Sequence, residues 1–164
     1  MLNSFSKFFG MTGWRLGWLV VPEEAVEGVT KLAQNLFIAP STPAQYAALA
    51  AFSPAAMKIH HNRAEQFMQR AAMLAQGLQQ LGFKIPVQPQ GAFYLYVDVS
   101  NTGLPAIEFC HRLLEEFQVA VTPGEDFGAN SNQAFVRFAF TTDEASIALG
   151  LQRLQSALQR WGTA

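Results

Sequence analysis

The chain has 164 residues, of which half are apolar and 14% are charged, with 11 Lys plus Arg against 12 Asp plus Glu. A net charge of −1 provides no basic surface to neutralise phosphates, which argues against a nucleic-acid-binding domain. The fourteen Phe exclude intrinsic disorder, and no apolar run approaches the ~20 residues of a membrane span. The single cysteine, Cys110, excludes an intrachain disulfide framework and a Cys-rich metal site, and it fits a cytoplasmic location.

The first part of the chain predicts one strand followed by helices. Residues 16–21 form a short apolar run that stops at Pro22, which indicates a buried strand. An amphipathic helix follows, a second helix spans about 44–52, and a long third helix ends near Gly82. Because a single strand cannot form a sheet, we interpret residues 1–60 as the end of a larger α/β domain.

The rest of the chain, residues 61–164, combines the long helix with a small α+β layer. Residues 92–99 alternate as a strand whose buried face is predicted to carry Phe93, Leu95, Val97 and Val99. The next helix begins at Pro105, and its predicted apolar face consists of Ile107, Cys110, Leu114 and Phe117. Short strands at 118–122 and 135–140 follow. Thr141 and Glu144 then predict a capping box for a last helix, whose buried face carries Ile147, Leu151, Leu154 and Leu158.

A lysine near the start of the chain is the first candidate for chemistry. Lys7 lies between Phe5 and Phe8-Phe9, and burial there would favour the neutral amine that can condense with a carbonyl group. Ser4 and Lys7 also form a Ser-x-x-Lys motif, but the Ser-Asp-Asn and Lys-Thr-Gly motifs of the β-lactamase group are absent from the sequence. Taken alone, the tetrapeptide is far more typical of a surface lysine.

Two arginines are the next candidates. Arg15 lies in a glycine-rich segment just before the predicted strand, where its guanidinium and the Ser4 hydroxyl could bind a phosphate. Arg137 lies between Val136 and Phe138 in an apolar strand, where an unpaired guanidinium would be costly. It suits either the recognition of a carboxylate or an edge-strand position that reaches solvent.

These segments together resemble the class I/II (fold type I) pyridoxal-phosphate-dependent aminotransferases. The similarity covers Ser4-Phe-Ser-Lys7 and Gly10-Met-Thr-Gly-Trp-Arg15-Leu-Gly-Trp18 almost without interruption, and it continues through the segments 91–98, 121–128 and 135–140. The resemblance implies that Lys7 carries pyridoxal 5′-phosphate, that Ser4 and Arg15 bind the cofactor phosphate, and that Arg137 binds the substrate α-carboxylate.

The same resemblance implies how the chain is organised and what it does. Residues 1–60 would be the remnant of the large cofactor-binding domain, and residues 61–164 the small C-terminal domain with the long interdomain helix. The implied reaction is amino-group transfer between an amino acid and a 2-oxo acid in a cytoplasmic homodimer. The cofactor lysine of the family lies beyond the middle of a much longer chain. We therefore expect this chain to represent the C-terminal part, to expose much apolar surface, to bind the cofactor weakly and to be inactive alone. The exposed strand predicts either self-association or disorder of the segment before Pro40.

Other interpretations of the function of this chain remain open. A pyridoxal-phosphate-dependent lyase of the same fold would use the same Lys7 and Arg137, whereas a ligand-sensing domain of a regulator, or a remnant, would be non-catalytic. No metal site is expected, because the adjacent His60 and His61 point to different sides of a helix, as do Cys110 and His111. Tyr94 and Tyr96 are expected on the sheet face opposite Phe93 and Leu95.

Overall fold

The computed structural model of the protein describes residues 1–128 and 132–162, except for the side chain of Asn132. The chain divides into two compact units, Met1–Glu65 and the residues from Gln66 onward. The predicted boundary lies five residues earlier, after residue 60. The mixed α/β class expected from the sequence is confirmed.

The first unit contains a two-stranded antiparallel ribbon and helices. Strand β1 (Leu2–Ser4) pairs with β2 (Gly17–Leu19), with Ser4 opposite Gly17. Helices α1 (Glu23–Leu36) and α2 (Thr42–Ala51) follow, and α3 (Pro54–Gln80) begins in this unit. Its small core consists of Phe5, Met11, Ala48 and Ala51, with Phe9, Leu16 and Trp18 packed against it.

Two expectations for this unit are wrong. The apolar run at 16–21 forms a shorter strand that is paired, because Leu2–Ser4 supplies the partner that periodicity did not indicate. This strand is also largely exposed rather than buried. The expected apolar surface is present. Large hydrophobic side chains are exposed at the end of β2 and just after it, on α1 and in the turn that follows α1: Leu19, Val20, Leu32, Leu36, Phe37 and Ile38.

The second unit has a three-stranded antiparallel sheet covered by helices. Its elements are β3 (Tyr94–Asp98), α4 (Ala106–Phe117), β4 (Thr122–Pro123), β5 (Phe135–Ala139) and α5 (Glu144–Trp161). The strand order is β3-β5-β4, so β5 is the central strand. The predicted sequence of strand, helix, strand, strand and helix is confirmed.

The core of the second unit follows the predicted periodicity at most positions. Leu95, Val97 and Val99 are fully buried from the strand, and Ile147, Leu154 and Leu158 are buried from the last helix. At Gly82 the backbone is left-handed (φ +85°), and Phe83 N–H donates to the Leu78 carbonyl to close α3, as expected for a glycine cap.

Two local predictions for the second unit are wrong, and a third holds only in part. Of the predicted apolar face of α4, Cys110 is buried and Phe117 packs against the core, but Ile107 and Leu114 are exposed. The rest of the buried face consists of Ala106, Phe109 and Leu113. The strand predicted at 118–122 is reduced to Thr122–Pro123. The last helix is capped by Asp143, whose carboxylate accepts from Ser146 N–H, and not by Thr141.

Candidate functional site

The segment that carries Lys7 is a tight turn between the two strands of the ribbon. Phe5 N–H donates to the Leu16 carbonyl at 3.1 Å, and Met11 N–H donates to the Phe5 carbonyl at 3.1 Å. The Lys7 carbonyl accepts from Gly10 N–H at 2.9 Å. Phe5 is buried, and its ring lies 4.9 Å from those of Phe9 and Trp18. This aromatic packing fixes the base of the turn.

Lys7 itself is exposed within this unit. The burial that would favour a neutral amine is therefore not supplied by Phe5, Phe8 and Phe9. Those rings pack on one another and on α3 instead.

The ribbon brings the two predicted phosphate ligands to one place. Ser4 and Arg15 line the same open groove of about 580 Å³. Ser6, which was not predicted from the sequence, lines it as well. Ser6 N–H donates to the Ser4 hydroxyl at 3.1 Å, and the Arg15 guanidinium donates to the Thr12 carbonyl at 2.8 Å. Two hydroxyls and a guanidinium in one groove suit a phosphate group.

Backbone geometry at two positions keeps this groove in shape. Arg15 has a left-handed backbone (φ 51°), which is uncommon for a residue with a side chain and indicates local constraint. At Gly17, a Cβ would lie 2.7 Å from the Asn3 carbonyl oxygen, so no larger residue fits without separating the strands.

A histidine of α3 supports the lysine turn. The His60 imidazole is 6% exposed, and it lies 5.5 Å from the Phe8 ring and 5.4 Å from the Phe9 ring. Neither of its nitrogens has a hydrogen-bond partner among the described residues. His60 therefore acts here as an aromatic packing residue, and no group of His, Cys, Asp and Glu in the described part of the chain is arranged to hold a metal ion.

Arg137 lies in the second unit, in the middle of the sheet. Its neighbours across the ladders are Tyr96 of β3 and Thr122 of β4, and its guanidinium donates to the Thr122 hydroxyl at 3.0 Å. The edge-strand alternative is wrong, because β5 is the central strand. Val136 and Phe138 are buried in the core, and since strand side chains alternate, Arg137 belongs to the opposite face.

Aromatic rings surround this arginine. Its guanidinium carbon lies 5.0 Å from the centroid of the Phe127 ring and 5.7 Å from that of Tyr94. The Arg137 Nε is buried and has no hydrogen-bond partner among the described residues. No carboxylate of the described residues forms an ion pair with the Arg137 guanidinium. A half-buried guanidinium without a counter-ion is suited to bind an external carboxylate.

The pKa values of two side chains of the second unit, Tyr96 and Cys110, are raised. Burial raises the pKa of the Tyr96 hydroxyl, and the nearby Glu125 carboxylate adds to the increase. Burial also raises the pKa of the Cys110 thiol to about 12, with further contributions from Glu125 and Asp126. Both groups are therefore neutral at physiological pH, and Cys110 behaves as a small core residue.

Comparison with known proteins shows which family this chain resembles. The family model described as aminotransferase class I and II matches residues 1–154. The chain is 37% identical to a valine–pyruvate aminotransferase of Mycobacterium tuberculosis, over 96% of this chain and 41% of that relative. It is 33% identical to a (5-formylfuran-3-yl)methyl phosphate transaminase of Methanocaldococcus jannaschii, over 98% of this chain and 42% of that protein.

The fold comparison gives the same result. The crystal structure of an aminotransferase from Mycobacterium tuberculosis superposes on this chain with a TM-score of 0.92 at 38% sequence identity. The superposition covers 97% of this chain and 41% of the crystallised chain. The family resemblance inferred from the lysine and arginine segments is thus confirmed. The chain spans about two-fifths of the length of the relatives that it matches.

Proposed function

Since the chain belongs to the aminotransferase class I and II family, we propose that it contributes part of an active site for pyridoxal-phosphate-dependent amino-group transfer. The substrates would be an amino acid and a 2-oxo acid. The observation that carries the proposal is the groove in which Ser4, Ser6 and Arg15 lie together, next to Lys7 in the chain.

The donor set of the first unit fits the phosphate end of the cofactor. The Arg15 guanidinium and the Ser4 hydroxyl would hold the phosphate, with Ser6 as a further hydroxyl in the same groove. Bound pyridoxal phosphate supplies an electron sink for the electrons of a bond broken at the substrate Cα. The Lys7 amine would hold the cofactor carbonyl, and after release it would move the Cα proton as a general base.

The second unit would contribute substrate orientation. Arg137 would bind the α-carboxylate through its guanidinium, which the Thr122 hydroxyl holds by one hydrogen bond. Fixing the carboxylate limits rotation of the substrate and so directs the bond to be broken. Residues 1–60 and 61–164 would then correspond to parts of a cofactor-binding domain and a C-terminal small domain.

We also propose that the chain is cytoplasmic and associates with a second copy, without nucleic-acid or membrane partners. The exposed apolar side chains of β2 and α1 support association, since such patches seek partners. A net charge of −1 supports the absence of a nucleic-acid partner. No helix in the described part of the chain is long and apolar enough to cross a membrane.

Lysine labelling tests the cofactor proposal directly. The 164-residue chain is incubated with pyridoxal phosphate, reduced with borohydride and mapped by peptide mass spectrometry. Lys31, Lys58 and Lys84 are the other lysines and serve as internal references. We expect labelling to favour Lys7, and pyridoxal, which lacks the phosphate, to show no such preference.

Two variants separate the phosphate contacts from general reactivity. Arg15→Gln and Ser4→Ala should each reduce the Lys7 preference for pyridoxal phosphate and leave labelling of Lys31 unchanged. Equal labelling of all four lysines in the unmodified chain would contradict the proposal. We expect no transamination above the Lys7→Ala background from the 164-residue chain, and robust turnover would refute that expectation.

A further inference from the structure

The surroundings of Arg137 are aromatic and partly open to solvent. The two rings under its guanidinium carbon belong to Tyr94, which is 37% exposed, and Phe127, which is 51% exposed. Exposed aromatic surface beside a half-buried cation is unlike a core arrangement, where rings are covered. A ligand that brings a carboxylate to this guanidinium would carry its remaining atoms past these rings.

An acidic side chain lies in the same turn as one of these rings. Glu125 lies in the same short turn as Phe127, and its Oε2 is buried without a hydrogen-bond partner among the described residues. Its charge reaches Tyr96, whose pKa is raised first by burial and then by this carboxylate. Tyr96 is the direct ladder neighbour of Arg137. This part of the second unit thus offers the Arg137 guanidinium, the Glu125 carboxylate and several aromatic rings.

We infer that the Arg137 face selects ligands that carry a single carboxylate and an apolar or aromatic remainder. Phe127 and Tyr94 are its specificity-determining residues. The inference rests on the proposed function, in which Arg137 binds the substrate carboxylate. A mono-acid would neutralise Arg137 and cover the rings, whereas a second carboxylate would be repelled by Glu125, which forms no ion pair with any described residue.

Binding of three unreactive acids to the full 164-residue chain tests the inference. The probes are 3-phenylpropionate, propionate and succinate, and their dissociation constants are measured by saturation-transfer NMR at pH 7. We expect 3-phenylpropionate to bind roughly five-fold more tightly than propionate, as one additional aromatic contact would give. Succinate should bind no more tightly than propionate.

Substitutions at exposed or partly exposed positions identify the groups responsible. Phe127→Ala should reduce the ratio of the 3-phenylpropionate affinity to the propionate affinity from roughly five to about one. Phe127→Leu keeps an apolar side chain without the ring and should give an intermediate affinity. Glu125→Gln should raise the affinity for succinate relative to that for propionate.

Arg137→Gln separates the inference from the proposal on which it rests. If binding of all three acids persists in this variant, the carboxylate clamp is wrong, and the inference fails with it. If Arg137→Gln abolishes binding but succinate binds more tightly than 3-phenylpropionate in the unmodified chain, the clamp stands and the selectivity is overturned. The same conclusion follows if Phe127→Ala leaves 3-phenylpropionate unaffected.

Discussion

Gly17→Ala tests whether the ribbon register builds the phosphate groove. Gly17 lies opposite Ser4, and a Cβ there would lie 2.7 Å from the Asn3 carbonyl oxygen and 3.6 Å from the Ser4 Cα. A carbon–oxygen contact normally lies at about 3.3 Å or more, so the strands would have to separate by roughly 0.6 Å. The obstacle is backbone, which cannot rotate away as a side chain could.

The expected cost follows from this overlap. Inserting one carbon into a close-packed position costs about 1–3 kcal/mol, which corresponds to a roughly 5- to 150-fold loss of the aligned ribbon. Ser4 and Arg15 would then no longer face one groove. The phosphate-dependent preference for Lys7 labelling should therefore fall by a similar factor.

Gly13→Ala is the matched control. Gly13 lies in the same segment, but a Cβ at this position would meet no atom within 4 Å. Its labelling preference should equal that of the unmodified chain. If Gly17→Ala retains the full preference, as Gly13→Ala is expected to, the ribbon register does not form the phosphate site and the reasoning is refuted.

Three further predictions concern the second unit. Hydrogen bonds from the first turn of α5 hold the pKa of Asp143 below its usual 3.8, so its stabilising effect is present above pH 3.8 and lost as pH falls through the lowered value. Asp143→Ala should therefore lower the Tm at pH 7, and the difference in Tm from the unmodified chain should shrink progressively below pH 3.8. A Tm difference that stays constant with pH would contradict this. Asp143→Asn, the control, should retain the cap. Cys110 should not react with a thiol reagent at pH 8 until denaturant unfolds the chain, because burial raises its pKa to about 12, and rapid reaction in the folded chain would contradict that burial. A Cβ at Gly77 would overlap the Leu151 side chain, so Gly77→Ala should cost about 1–3 kcal/mol in denaturant unfolding, with partial rescue by Leu151→Ala. The control Gly150→Ala, where nothing lies within 4 Å, should stabilise α5 by about 0.5–1 kcal/mol, and equal destabilisation by both substitutions would refute the packing argument.

Helix α4 shows that periodicity predicts a helix with apolar faces but not which of those faces is buried. Ile107 and Leu114 repeat at helical spacing, but so do Phe109 and Leu113, and the two sets lie on adjacent faces of one helix. The second set is buried. Which face docks depends on the sheet beneath it, and that information is absent from the local pattern.

The cap of α5 has a similar explanation. Thr141 and Glu144 have the spacing of a capping box, yet Asp143 lies closer to the helix and caps Ser146 N–H. Glu144 pairs instead with Arg70 of α3, with 2.9 Å between guanidinium and carboxylate. The side chain that the local motif predicts as part of the cap is thus bound by a residue 74 positions earlier in the chain.

By itself, the sequence determined the family, the chemical types of the candidate residues and the alternation of β3, because motifs and strand period depend only on order along the chain. Only the tertiary structure decided which of these residues meet. The ribbon register places Ser4 and Arg15 in one groove, and the central position of β5 places Arg137 between Tyr96 and Thr122. Such contacts join residues distant in sequence, and they exist only when hydrogen-bonded ladders and side-chain packing fix the backbone.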